Sequence, residues 1–291
     1  MSVSLSVVIP CYRSQATLPE LLRRLTEALE ATKNPFEVIF VEDCGGDDTW
    51  QVIQELARGD ARVRGIKLAR NYGQHNALLC GIRAARGEVI VTIDDDLQNP
   101  PEEIHKLLAK LHEGHDVVYG SPQAETHGFL RNQASRITKL ALQGTMGVES
   151  ASKVSAFRVF RTRLRNAFEA YRSPSVNIDV LLTWGTTSFS SVNVRQDDRL
   201  IGDSGYSLKK LINHAINMMT GFSVLPLQIA SLLGITFGAL GMLVLTYVVG
   251  RYFIAGSAVP GFTFIASIVA IFSGVQPFAL GIFGEYLARM H

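Results

Sequence analysis

The C-terminal part of this 291-residue chain is almost empty of charge. No Asp, Glu, Lys or Arg occurs from Met218 to Gly250, and none from Tyr252 to Gly284, although 19% of all residues are charged. Each gap exceeds the roughly 20 apolar residues that cross a bilayer. Core helices of a soluble protein would keep a charged outer face, so the two gaps read as a transmembrane hairpin. Its spans are expected at about 224–250 and 262–286, joined by a short Gly/Pro loop. Cysteine is scarce too: Cys11, Cys44 and Cys80 form no CxxC pair and are odd in number, which excludes a disulfide framework and leaves them as small buried filler. No charge of one sign dominates; 28 Lys+Arg against 26 Asp+Glu give no case for nucleic acid as partner. The usual phosphate cradles, G-x-G-x-x-G and G-x-x-x-x-G-K-[ST], are missing, which counts against a dehydrogenase or a P-loop NTPase. The first residues lack the basic start and long apolar run of a signal peptide, so the N-terminal part is expected to stay in the cytoplasm. Lys209, Lys210 and Arg289 flank the hairpin and favour both termini inside, with only Arg251 opposed.

What is present centres on Val89-Ile90-Val91-Thr92-Ile93-Asp94-Asp95-Asp96-Leu97-Gln98-Asn99-Pro100-Pro101. The β-branched run reads as a buried strand, and Asn99 with the following prolines and glutamates as the cap and first turn of a helix. Three aspartates then stand at the carboxyl end of a central strand, where open α/β sheets bind ligands. Adjacent carboxylates repel, so at least one pKa should rise unless a cation neutralises them. Oxygen-only ligands suit Mg2+ or Mn2+, with coordination sites left for phosphate oxygens; an acidic solvated turn is the plainer alternative.

Around this turn, strands are expected at 5–10, 36–41, 63–68, 116–119, 155–160 and 187–195. Helices are expected at 17–31, 49–57, 74–85, 101–113 and 162–171. Thr17 and Glu20 have the spacing of a capping box for the first helix. The alternation with short connections implies an α/β fold with a doubly wound, mostly parallel sheet. A second acidic turn, Glu42-Asp43, falls after another strand, an arrangement for a nucleotide on one side and a metal-bound diphosphate on the other. Further on, Arg131, Ser135 and Lys139 share one face of a helix expected at 129–142, either a phosphate clamp or a solvated face. Leu208, Leu211, Ile212, Ala215, Ile216 and Met219 form the apolar face of a juxtamembrane helix, read as lying on the bilayer surface. The expected organisation is therefore 1–205 catalytic, 206–221 amphipathic and 222–291 hairpin.

Taken together, several short pieces resemble one family. They are Val8-Ile9-Pro10-Cys11-Tyr12, Val41-Glu42-Asp43, Arg70-Asn71-Tyr72-Gly73, Asp94-Asp95-Asp96-Leu97-Gln98, Phe157-Arg158 and Arg199-x-x-Gly202-x-Ser204-Gly205-Tyr206. In this order they look like the family 2, GT-A-fold glycosyltransferases of the polyprenyl-phosphate group, and Gly284-Glu285-Tyr286-Leu287 resembles that group's second span. The resemblance implies an inverting transferase that moves one sugar from a UDP- or dTDP-linked donor to undecaprenyl phosphate at the inner leaflet of the plasma membrane. It implies Pro10, Tyr12, Asp43, Arg70, Asn71 and Asp94 for the donor nucleotide. Asp94, Asp96 and Gln98 would hold Mg2+ or Mn2+. Asp94, Asp95, Asp96 and Arg199 would form the catalytic set, with Arg131 and Ser135 on the lipid phosphate. Hairpin proteins of this kind often form homo-oligomers.

Two positions depart from the group: Ala156 stands where many relatives carry Asp, and Gly205 where many carry Lys. A sugar hydroxyl needs a base to attack, but a lipid phosphate is already anionic. Ala156 therefore fits a phosphate acceptor. The competing readings are a membrane-tethered nucleotide-sugar-binding scaffold without turnover and a polysaccharide synthase. Trp50 and Trp184 lie in no Q-x-x-R-W element, which counts against the synthase.

Overall fold

The computed structural model describes residues 4–122, 154–174 and 176–197, together with scattered positions between 232 and 287. It divides into two compact units, Met1–Leu208 and Lys209–His291.

In the first unit, seven strands form one sheet: β1 (Leu5–Cys11), β2 (Phe36–Glu42), β3 (Val63–Lys67), β4 (Val89–Thr92), β5 (Val117–Pro122), β6 (Arg158–Arg161) and β7 (Phe189–Val194). Their order is β3-β2-β1-β4-β6-β5-β7. All described pairs are parallel except those of β6, which runs against both β4 and β5. The chain thus builds the expected mostly parallel sheet with one reversed strand inside it. Direction is invisible in a run such as Arg158–Arg161, because both orientations use the same period-two side-chain pattern.

The helices are α1 (Leu18–Glu30), α2 (Thr49–Gly59), α3 (Gln74–Ala84), α4 (Ile104–His112) and a short α5 (Ile178–Thr183). Strand residues alternate between two cores, as a pleated strand requires. Val7, Ile9, Val38, Phe40 and Val91 pack with α1, α2 and α4, whereas Val8, Ile39, Val41 and Ile90 pack with α3 and α5. Leu18, Leu21, Leu22, Leu25 and Leu29 supply the buried face of α1, as their spacing dictates. Gly81 lets α3 lie against β1, since a Cβ there would collide with Val8.

Local details differ from expectation. Thr17 does not cap α1 through its side chain. Its backbone is already helical, and its hydroxyl donates instead to the Ser14 carbonyl at 3.1 Å. Pro100, rather than Asn99, takes the cap position before a three-ten turn at Pro101–Glu103 that leads into α4. The helix expected at 162–171 is a three-ten stretch, Thr162–Phe168. There Arg165 donates to the carbonyls of Ile82, Arg83 and Ala85 at the end of α3, a tertiary demand that periodicity does not reveal.

A buried polar network fastens the reversed strand. Arg158, only 1% exposed, pairs with Asp179 of α5 and donates to Thr92 Oγ1 at 3.1 Å, while the Tyr119 hydroxyl donates to Asp179 at 2.9 Å. Burial, then the neighbouring Asp179 charge, push the Tyr119 phenol well above its ordinary pKa, so it stays a donor.

The helices expected at 129–142 and 206–221, and most of the two spans, lie outside the described residues. Among the described residues no helix is long and apolar enough to cross a membrane.

Candidate active site

Strands β1, β2 and β4 end side by side, and the turns that leave them enclose a cleft of about 280 Å3. Pro10 lines it at the end of β1 and Tyr12 just after it, Asp43 after β2, Asn71 after β3, and Asp94, Asp95 and Asp96 after β4. Seven residues expected at the site, spread over 87 positions of sequence from Pro10 to Asp96, thus meet in one cavity. Cys11, Gly73 and Gln74 complete the lining; Gly73 belongs to the piece Arg70-Asn71-Tyr72-Gly73, and the sequence signal for Gln74 was its place directly after it.

The three aspartates diverge rather than stack. Leu97, buried in the core, adopts φ 61°, a left-handed conformation rare for a branched apolar residue, and closes the turn tightly. Asp94 Oδ1 accepts from the Gln74 amide at 2.7 Å. Asp95 turns back towards β1, where its Oδ2 accepts from the Tyr12 N–H at 3.2 Å and from the Ser14 hydroxyl. Asp96 Oδ1 accepts from the Gln98 N–H at 3.2 Å. Burial pushes the Asp95 carboxyl up, and the Asp96 charge adds a smaller push. The expected rise is therefore present, with desolvation rather than crowding as its main cause.

Asp43 organises the opposite wall. Its two oxygens accept from the backbone N–H groups of Tyr72 and Gly73 at 2.7 and 2.8 Å. Burial raises its pKa against those two bonds. Gly73, at φ 90°, makes the turn that presents both N–H groups just before α3 begins. Tyr12 is half exposed at the mouth, with the Arg13 guanidinium 5.4 Å from its ring centre.

Arg70 sits differently from Asn71: its guanidinium lies 4.7 Å from the Tyr72 ring centre and faces a neighbouring cavity. Gln98 is absent from the lining of the cleft, but its carbonyl accepts from the Asp197 N–H at 2.9 Å, which brings the segment after β7 to the acidic turn. The Ala156 carbonyl accepts from Thr92 Oγ1 at 2.7 Å, and its methyl side chain offers no titratable group at this position. Arg131, Ser135 and Arg199 lie outside the described residues.

Glycosyl transferase family 2 matches residues 6–172, more than half of the chain. The chain belongs to this family. Among curated family relatives, the undecaprenyl-phosphate 4-deoxy-4-formamido-L-arabinose transferase of Pseudomonas fluorescens (strain SBW25) is 35% identical over 289 residues, covering 98% of this chain and 85% of its own. Its counterpart in Pseudomonas aeruginosa (strain LESB58) is 36% identical over 290 residues, with 98% and 85% covered. Glucosyl-3-phosphoglycerate synthase from Mycobacterium tuberculosis, solved in complex with Mn2+, UDP and glucosyl-3-phosphoglycerate, has a TM-score of 0.56 at 17% identity, covering 75% of this chain and 78% of that one. That likeness confirms the fold of the family, a GT-A-like α/β sheet.

The donor set suits a hard divalent cation. Asp94 and Asp96 offer carboxylate oxygens in one cleft, and Mg2+ or Mn2+ in such sites needs only one or two of them alongside substrate phosphates. No preformed cage of three or more His, Cys, Asp or Glu side chains exists among the described residues.

Proposed function

We propose that this family 2 transferase moves one sugar from a UDP- or dTDP-linked donor to undecaprenyl phosphate, with inversion and with a divalent metal at the acidic turn. One observation carries the reading. The cleft that gathers Asp94 and Asp96 with Pro10, Tyr12, Asp43 and Asn71 belongs to a chain that matches undecaprenyl-phosphate sugar transferases over 98% of its length.

In this reading Asp43, held by two backbone N–H groups, keeps a fixed acceptor edge for a nucleoside base. Tyr12 and Pro10 bracket the base, and Asn71 closes the far side. Asp94 and Asp96, with Gln98 nearby, hold Mg2+ or Mn2+, which supplies charge neutralisation for the departing nucleotide diphosphate. Asp95 braces the turn against β1. Asp197 is anchored to the Gln98 carbonyl two positions before Arg199, which supports a role for Arg199 beside the diphosphate. Arg131 and Ser135 take the acceptor phosphate. That phosphate is its own nucleophile at neutral pH, so Ala156 needs no replacement base.

The second unit anchors the enzyme in the bilayer as a hairpin with both termini and the catalytic unit on the cytoplasmic side. Its described positions are helical, and several carry large exposed apolar side chains, Phe253 at 80% and Ile254 at 88% exposure among them. Such a surface is costly in water and at home in lipid. Assembly into a homo-oligomer is part of the same proposal.

The test is to incubate the purified enzyme with undecaprenyl phosphate and a panel of UDP- and dTDP-sugars, UDP-4-deoxy-4-formamido-L-arabinose included. Mass spectrometry of the lipid fraction should show one glycosyl monophosphate. Tight nucleotide binding without metal-dependent release of nucleoside diphosphate would instead mark a binding scaffold.

A further inference from the structure

A second cavity, about 600 Å3, adjoins the cleft and shares Asn71 with it. One wall is α3, where Asn76, Leu79 and Arg83 fall on a single helical face; the other is the segment Tyr171–Pro174. Its charge is one-sided. Arg70, Arg83 and Arg172 line it, and no Asp or Glu does among the described residues.

The two inner arginines converge. Arg83 Nη2 donates to the carbonyls of Tyr171 and Glu169 at 2.5 and 3.4 Å. Arg172 Nη1 donates to the same two carbonyls at 3.1 and 2.7 Å. Two guanidinium groups therefore share two neutral acceptors, and among the described residues neither has a carboxylate partner. Several other arginines of this unit do have a carboxylate, Arg24 with Glu102, Arg62 with Asp60 and Arg64 with Glu37. Burial, then repulsion from Arg172, lowers the Arg83 pKa. Like charges held together in a concave polar site are relieved by an anion that accepts from both. The five-donor fork of each guanidinium leaves N–H groups over after the carbonyls are satisfied.

We propose that this cavity is a binding site for a phosphate-class oxyanion, gripped by Arg83 and Arg172 and separate from the nucleotide cleft. Arg70, stacked on Tyr72, closes the rim. Tyr72 lines the cavity with its side chain while its N–H holds Asp43, so the bound anion sits beside the segment that walls the cleft. The anion can be a phospholipid headgroup or a free phosphate, since both present the same oxygens.

Trp184 reports on the site, because its exposed indole meets the Tyr171 ring edge-on with 5.5 Å between centres. The full chain in phosphatidylcholine bilayers is titrated with inorganic phosphate replacing chloride at constant ionic strength, and separately reconstituted with increasing phosphatidylglycerol. A saturable change in emission that is absent from Trp184→Phe is expected in at least one arm, and the responding arm names the source. Arg172→Gln, at an exposed position, should weaken it about tenfold, the loss of one charge-assisted interaction. Arg83→Gln combined with Arg172→Gln should remove it while far-UV circular dichroism stays unchanged. No saturable change in either arm, or one that Arg172→Gln leaves intact, overturns the proposal.

Discussion

The Gln74 side-chain amide donates to Asp94 Oδ1 at 2.7 Å, which ties the first residue of α3 to the first aspartate of the acidic turn. The bond joins the two walls of the cleft. It also occupies a lone pair of Asp94 Oδ1 for which a cation would compete. Gln74→Leu should lower kcat/KM about fivefold, the worth of one exposed hydrogen bond, and raise the metal concentration needed for half-maximal turnover. A variant with unchanged metal dependence would reduce Gln74 to a bystander.

Asp95 and Asp96 should separate stability from turnover. Asp96→Ala removes a proposed metal ligand and relieves repulsion, so transfer should vanish while the thermal midpoint holds or rises. Asp95→Ala leaves the Tyr12 N–H and Ser14 hydroxyl without their acceptor, at about 1–3 kcal/mol. Its midpoint should fall clearly. Equal midpoints for the two variants would refute this division of labour.

Arg131 should act on the acceptor alone. Arg131→Ala is expected to raise the KM for undecaprenyl phosphate by about ten- to a hundredfold, for one lost charge-assisted bond to phosphate, and to leave UDP affinity unchanged. Arg131→Lys should recover only part, since the planar fork is lost. Weaker UDP binding at constant lipid KM would place this residue on the donor instead.

At the other end of the sheet, Glu37 accepts from Ser6, from the Arg86 N–H and from Arg64 at 2.7, 2.7 and 2.8 Å. Burial pushes its carboxyl up, but these partners outweigh burial and hold the pKa below the ordinary value. A lowered native pKa contributes stability that is present above about pH 4 and lost as the pH falls below it. Glu37→Gln should therefore cost about 2 kcal/mol at pH 7, and the gap from wild type should close on acidification. Asp43 and Asp95, raised by burial, change in the opposite sense, and the comparison with Glu37→Gln cancels them. A gap that widened towards pH 3 would contradict the assignment.

Topology can be read directly. An accessibility tag in the connection expected at 256–261 should label from outside intact cells, whereas tags at either terminus should label only after permeabilisation. A loop reachable only from the cytoplasm would sink the hairpin.

The strands, helices α1 to α4 and the acidic turn were legible because their causes are local, whereas α5 was not expected and the helix expected at 162–171 is a three-ten stretch. Buried runs such as Val89–Thr92 need only hydrophobic side chains, and α1 needs only its leucine spacing. The family pieces marked Pro10, Tyr12, Asp43 and Asp94–Asp96 for the same reason: each sits in a short motif. What the sequence could not show depends on partners far along the chain. The reversal of β6 is fastened by Arg158 reaching Asp179 and Thr92, and a buried pair is invisible until the fold brings its halves together. Asp95 faces β1 because Tyr12 and Ser14, more than eighty residues earlier, supply its donors. The convergence of Arg83 with Arg172 is likewise a product of packing, since α3 and the segment after Phe168 meet only across the sheet's helical face. Sequence settled which groups exist and on which faces; tertiary contact alone decided their directions, because a hydrogen bond or an ion pair requires its donor and acceptor within about 3 Å of each other.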